Sequence, residues 1–241
     1  MTSNATPGVM CTPRFVRAFT WMACVAVSLG LACSPALAAK EPLPQVSPEG
    51  LELQKDTKAR AVYLKPGATF DKYQKIKILD CYVEFAKDWQ RDYNRDTVGL
   101  DGRVKDSDVE RIKTELAAEF RKVFTEELTK NGGYEVVDTD GPDVLVLRPA
   151  LVNLMVTAPD LMTAGIRRVV VDSAGQMTLY LELWDSASST ILARVMDPQA
   201  DDGFGGRAQM ASRATNERAA EILLRDWADR LRKHLDAVRG K

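Results

Sequence analysis

The chain has 241 residues, with 33 Lys+Arg against 34 Asp+Glu and a single histidine. A charge balance this close to neutral leaves no basic footprint for nucleic acid. One histidine leaves almost nothing for a zinc site or a histidine-based catalytic triad.

The N-terminal segment says where the protein resides. Arg14 and Arg17 precede an apolar run from Phe19 to Ala32, and Ala36-Leu37-Ala38 follows it. Basic, apolar and small, in that order, is the pattern of a bacterial export signal. The uncharged stretch from Phe19 to Ala39 is long enough to cross a bilayer. A retained membrane helix is therefore the alternative, disfavoured by Gly30, Pro35 and the single basic Lys40 behind it. Two processing readings stay open. Ala36-Leu37-Ala38 ahead of Ala39 fits the small-residue cleavage pattern. Leu29-Gly30-Leu31-Ala32-Cys33 resembles a lipobox, with Gly30 where a branched aliphatic is usual, and makes Cys33 the lipidation candidate. Acylation there would anchor the protein as an outer-membrane lipoprotein; ordinary cleavage would release it into the periplasm. Met10 is an alternative start.

With residues 1–38 assigned to the signal, the remainder carries 31 Lys+Arg and 34 Asp+Glu, a net charge of −3. Cys11, Cys24 and Cys33 all lie in the signal, so Cys81 is the one thiol of the folded part and has no partner unless Cys33 survives. Residues 39–60 are rich in proline and charge and read as a tether or loosely packed arm. Residues 61–241 are long enough for a single domain with its own core.

Within that domain, Lys65-Pro66-Gly67 is a turn. Lys75-Ile76-Lys77-Ile78 alternates, and the phase slips at Leu79 before Cys81, Val83 and Phe85 resume it, which predicts a β-bulge in one long strand. A polar loop then spans 86–105. Ser107-Asp108-Val109-Glu110 reads as a capping box opening a helix. Val109, Ile112, Leu116, Phe120, Val123, Phe124 and Leu128 form its buried stripe, and Asn131-Gly132-Gly133 ends it.

Tyr134–Val137 and a long run from Val144 to Val156 follow as strands, with Pro149 marking an edge or a kink. Met177, Leu179, Leu181 and Leu183 alternate against Thr178, Tyr180 and Glu182. Asp185–Ser189 turns that strand into a second at Thr190–Met196, an antiparallel hairpin. A closing helix from about Ala208 to Val238 carries Ala220, Leu223, Leu224, Trp227, Leu231 and Leu235 on one face. The fold expected is α+β: a two-layer sandwich in which a mainly antiparallel sheet of about five strands has two long amphipathic helices on one face, in the order β-α-β-β-β-β-α.

The chemistry is sparse. Asp92-Tyr93-Asn94-Arg95-Asp96 opens like a calcium loop, but Thr97 and Arg103 stand where glycine and a bidentate glutamate are required. Asp197, Asp201 and Asp202 lack ligand spacing and read as solvated. Gly203-Phe204-Gly205-Gly206 lacks the context of a phosphate-binding loop. Cys81 sits in an apolar strand, where a thiol is buried and inert. No catalytic residue, metal ligand or cofactor is assigned. Trp184 lies on the polar face of its strand, packed under another segment or open to a partner. Trp227 belongs to the helical stripe. Trp89 and Tyr93, in the long polar loop, are the aromatics expected to be exposed and are the binding candidates.

Leu64-Lys65-Pro66-Gly67-Ala68, Phe70-Asp71-Lys72-Tyr73 and Gly141–Ala150 together resemble the bacterial exported-protein family catalogued as domain of unknown function 3313. The resemblance covers roughly residues 47–238. It implies a lipoprotein, with Cys33 as the acylated residue, and supplies no catalytic residues.

The leading expectation is a non-catalytic cell-envelope domain that binds a protein partner. One alternative is a periplasmic carrier of a small ligand or lipid, which requires a sizeable apolar pocket between helices and sheet. A further alternative is an envelope enzyme acting through carboxylates such as Glu84 or Asp80.

Overall fold

The computed structural model describes residues 42–97, 99, 102–159, 169–171, 175–200, 209–211 and 213–239. The segment read as an export signal, with Cys33, together with Asp201, Asp202 and residues 203–206, lies outside them. The chain forms β1 (Glu52–Leu53), β2 (Ala61–Leu64), β3 (Lys75–Ile78), β4 (Tyr82–Phe85), α1 (Trp89–Asp96), α2 (Asp106–Thr129), β5 (Glu135–Val136) and β6 (Val144–Val156). It continues with β7 (Val169–Val171), β8 (Gly175–Asp185), β9 (Thr190–Ala200), β10 (Gln209–Ala211) and α3 (Arg213–Val238). No helix among the described residues is long and apolar enough to cross a membrane.

The fold is α+β, as expected, but the sheet is larger and differently wired. Eight strands join in the order β1-β2-β9-β8-β6-β3-β5, with β4 also on β6, while β7 and β10 pair separately. The sheet is mixed, because β3 pairs in parallel with both β5 and β6, and β4 in parallel with β6. Helix α2 is the cause. It carries the chain across between β4 and β5, and a crossover of that length returns the strands in the same direction. The other half, β6-β8-β9-β2-β1, is antiparallel.

The predicted phase slip is real and divides the strand in two. Ile78 pairs with Leu147 and Tyr82 with Ala150, so four steps on one side match three on the other. Pro149 falls opposite this break, in an inner strand rather than at an edge. Leu79 N–H still donates to the Leu147 carbonyl at 2.9 Å. The next group on β6 facing that way is the nitrogen of Pro149, which has no proton to give. A second bulge lies at Asn153, whose φ of 53° is tolerated by asparagine. It is the extra residue against both β4 and β8.

Helix α2 opens two residues earlier than its capping signal suggests, with Lys105 rather than Ser107 at the N-cap. The Asp108 carboxylate, not Ser107, caps it by accepting the Lys105 N–H at 3.0 Å. The stripe from Val109 to Leu128 faces the core as expected, with Phe120 stacked on Phe124 at 3.9 Å. Asn131 and Gly132, at φ 54° and 69°, end the helix. Gly133 is needed because a Cβ there would lie 2.2 Å from the Leu128 carbonyl oxygen, and 2.1 Å from the Arg232 guanidinium. That guanidinium reaches over from α3 to donate to the carbonyls of Glu127, Leu128 and Lys130 at 3.2, 2.8 and 3.0 Å. It thereby satisfies acceptors that a helix end leaves open.

Leu145, Leu147 and Leu151 of β6 and Met177, Leu179, Leu181 and Leu183 of β8 point toward α2 and α3. With Leu224, Trp227 and Leu235 they form one core. Burial of this apolar surface supplies the main driving force for folding. The expected tether behaves differently from its composition. Leu51 is 0 % exposed and packs with Ala61, Tyr63 and Ile191 on the other side of the sheet, against Trp184. Residues 42–60 are therefore pinned: β1 pairs with β2, and Tyr63 Oη donates to the Pro44 carbonyl at 3.0 Å.

Candidate functional site: a pocket between the helices and the sheet

A pocket of about 490 Å³ opens at one end of the core. Ile112, Leu116 and Ala118 of α2 form one wall, and Ala219, Ala220 and Leu223 of α3 the other. Leu154 and Met155 at the end of β6 and Met177 at the start of β8 form the floor. Two features of the sequence leave the space open. Alanines stand where larger residues would fill the gap between the helices. In addition, α2 and α3 are clasped further along, where Arg225 is hydrogen-bonded to the buried Glu127 and reaches Glu126 at 3.3 Å. At the floor, Gly175 permits the approach of β8 to β6. A Cβ at that position would lie 1.9 Å from the Met155 carbonyl oxygen.

Polar groups ring this apolar interior. Arg111 is held by Glu115 at 3.1 Å and Lys122 by Glu119 at 3.1 Å. Glu221 accepts from Arg225 at 2.8 Å, which holds its carboxyl below the usual range. Asn216, in the first turn of α3, donates from Nδ2 to the Ala158 carbonyl at 3.1 Å, while its Oδ1 is buried without a partner.

The expected exposure of Trp89 is corrected. It is 7 % exposed and stacks on Phe85 with centroids 4.3 Å apart, and half-buried Tyr93 leans on it at 5.7 Å. Both residues stand on the helix α1 rather than in an open polar loop. Asn94 staples that helix down, giving Nδ2–H to the Val104 carbonyl at 2.9 Å and accepting the Val104 N–H at 2.7 Å. The calcium-like run lies on the same helix and is laced by its own ion pairs, Arg91 with Asp92 at 3.1 Å and Arg95 with Asp92 at 3.2 Å. Neither binding candidate lines the pocket.

Three buried carboxylates are structural. Asp197 accepts the indole N–H of Trp227. Asp185 accepts from Lys72 at 2.5 Å and Tyr73 at 2.6 Å, contacts that hold its carboxyl far below the usual range. It also accepts the Ser188 N–H at 2.7 Å and so closes the β8–β9 turn. Glu182 accepts from Arg194 at 2.8 Å, from Trp184 Nε1 at 3.1 Å and from Tyr180 at 3.1 Å. Arg194 then donates to Glu49 through two nitrogens at 2.9 Å. Glu84 is exposed, with Tyr82 Oη at 2.7 Å and Lys113 at 3.5 Å, and Asp80 is exposed as well. Burial pushes the Cys81 thiol up to about 12, so it stays protonated near neutral pH.

Among solved structures, similar ones include a PelC dodecamer from Paraburkholderia phytofirmans, at 10 % identity and TM-score 0.34, covering 71 % of this chain and 96 % of that one. A methionine variant of that dodecamer matches at 10 % identity and TM-score 0.35, over 71 % and 95 %. A putative neuraminyllactose-binding hemagglutinin homolog from Helicobacter pylori matches at 10 % identity and TM-score 0.31, over 72 % and 90 %. No curated protein matches the sequence. A family model does match, over residues 45–231, and the chain belongs to that family, described as "Protein of unknown function (DUF3313)".

Proposed function

We propose that this protein is a non-catalytic binding protein of the cell envelope, holding a small apolar molecule between α2, α3 and the sheet. The observation that carries this is the pocket. At about 490 Å³ it is within the size of small-molecule sites, and its interior is apolar while the basic groups among its described lining residues are ion-paired. The export signal ending near Ala38 or Cys33 supports an envelope location, in the periplasm or on the outer membrane through a lipid on Cys33. The carboxylates with a conceivable catalytic role, Glu84 and Asp80, are not part of the lining. A protein partner is the second reading, favoured by the exposed Leu79 and Tyr82 beside the break between β3 and β4.

Diphenylhexatriene, an uncharged hydrocarbon that fluoresces in apolar surroundings, tests the pocket on the purified full-length chain. The wild type is expected to bind one molecule saturably. Ala220→Phe, which fills the pocket from α3, is expected to weaken binding roughly tenfold or more. Equal binding by the two proteins would overturn the reading.

A further inference from the structure

Asn216 ties one end of the pocket together, and ties it weakly. Val156 and Pro159 line that end from the strand side, and Asn216, Glu217 and Ala219 from α3. Asn216 Nδ2 joins the two sides by donating to the Ala158 carbonyl at 3.1 Å. That carbonyl can only accept, so the orientation of the amide is fixed. Its other half is left over: Oδ1 is shut away from solvent and has no hydrogen-bond partner among the described residues. A buried acceptor left unpaired costs about as much as the neighbouring bond contributes, or more, and parting the two sides returns it to water.

Helix α3 is fastened unevenly along its length. From Leu224 onward it is pinned. Leu224 is 0 % exposed, Arg225 is bonded to Glu127, Trp227 and Arg230 reach Asp197 at 2.8 and 3.1 Å, and Arg232 caps α2. Ahead of Leu224, Ala219, Ala220 and Leu223 face the pocket. Space rather than packed atoms backs that wall, so it makes fewer dispersion contacts and is easier to move. Resting on the pocket reading above, we infer that the first three turns of α3 are a gate. They part from the Val156–Pro159 stretch while the helix beyond Leu224 stays in place, and the Asn216–Ala158 bond is the latch whose release admits and discharges the occupant.

Stopped-flow exchange of diphenylhexatriene on the full-length chain near neutral pH tests the latch through Asn216→Asp. Aspartate has nearly the shape of asparagine, and a carboxylate in the first turns of a helix suits the helix dipole. Ionised, it has no proton to give the Ala158 carbonyl, and burying it there disfavours the closed form. Association and dissociation rates are expected to rise together, by about tenfold or more. Their ratio, the Kd, should stay close to that of the wild type, because a gate that opens alike with and without its occupant changes both rates equally. Unchanged rates, or faster dissociation with association unaltered, would overturn the gate. If that variant does not fold, hydrogen exchange on the wild type decides. The amides of Ala219–Leu223 should exchange about tenfold faster than those of Trp227–Leu235, and saturating probe should slow them. Equal protection along α3, or no slowing by the probe, would overturn the inference. Probe binding unaffected by Ala220→Phe would instead overturn the pocket reading itself.

Discussion

The indole N–H of Trp227 donates to the Asp197 carboxylate at 2.8 Å inside the core, and this bond fastens the middle of α3 to β9. Asp197 is 3 % exposed and also meets Arg230 at 3.1 Å, Gln199 at 3.0 Å and the Arg60 N–H at 3.2 Å. Asp197→Ala would strand a buried indole N–H and leave Arg230, now paired with two carboxylates, with Asp226 alone. It should cost about 3 kcal/mol, as is typical when one partner of a buried charged pair is removed. Urea denaturation checks this, and a change below about 0.5 kcal/mol, the range of ordinary surface substitutions, would contradict it.

Trp89 closes a ladder of rings with Phe85 and Tyr93. Trp89→Ala should destabilise the domain by about 3–5 kcal/mol, the usual cost of deleting a buried aromatic. Tyr93→Ala should cost less, because that ring is only half-buried. A Trp89 variant with an unchanged melting temperature would place the residue on the surface after all.

Acid should release the N-terminal arm before the core. Arg194, and then Ser47, hold Glu49 down at about 2, against 4.5 for an unconstrained glutamate. A carboxyl depressed on folding contributes stability that is fully present above its unfolded value and lost as pH falls through the folded one. The contact is therefore intact above about pH 4.5 and lost between there and about 2. Trp184, which packs beneath the arm and donates to Glu182, reports it. Its fluorescence should change over that window in the wild type, and Glu49→Gln should flatten the change. A transition that survives Glu49→Gln unaltered would assign it to another group.

The two long helices α2 and α3, the β8–β9 hairpin and the slip at Leu79 are legible in the sequence because each leaves a periodic trace. The stripe from Val109 to Leu128 and the alternation from Met177 to Leu183 state by spacing alone which face is buried. What escapes such reading is non-local. Residues 42–60 look like a tether because their anchors, Leu43, Leu51 and Leu53, are few and scattered, and the Arg194 that grips Glu49 lies 145 positions away. Asp197 looks solvated as part of an acidic loop and Glu182 by alternation, yet α3 covers the first and the arm the second. The α1 helix is hidden by its charge, since ion pairs rather than an apolar stripe line its outer side. The parallel half of the sheet follows from α2 crossing over it, a matter of strand order that no local pattern encodes. The pocket has only a faint signature: Ala117-Ala118 and Ala219-Ala220, which in sequence are ordinary members of amphipathic helices.

The most direct measurement is a methyl-resolved NMR titration of the labelled full-length chain with n-butylbenzene. The account predicts saturable shifts concentrated on Ile112, Leu116, Leu154, Met177 and Leu223 around the pocket. The methyls of Leu51, Leu53 and Ile191 on the far side of the sheet should stay silent. No saturable shift, or shifts of equal size in both groups, would contradict it.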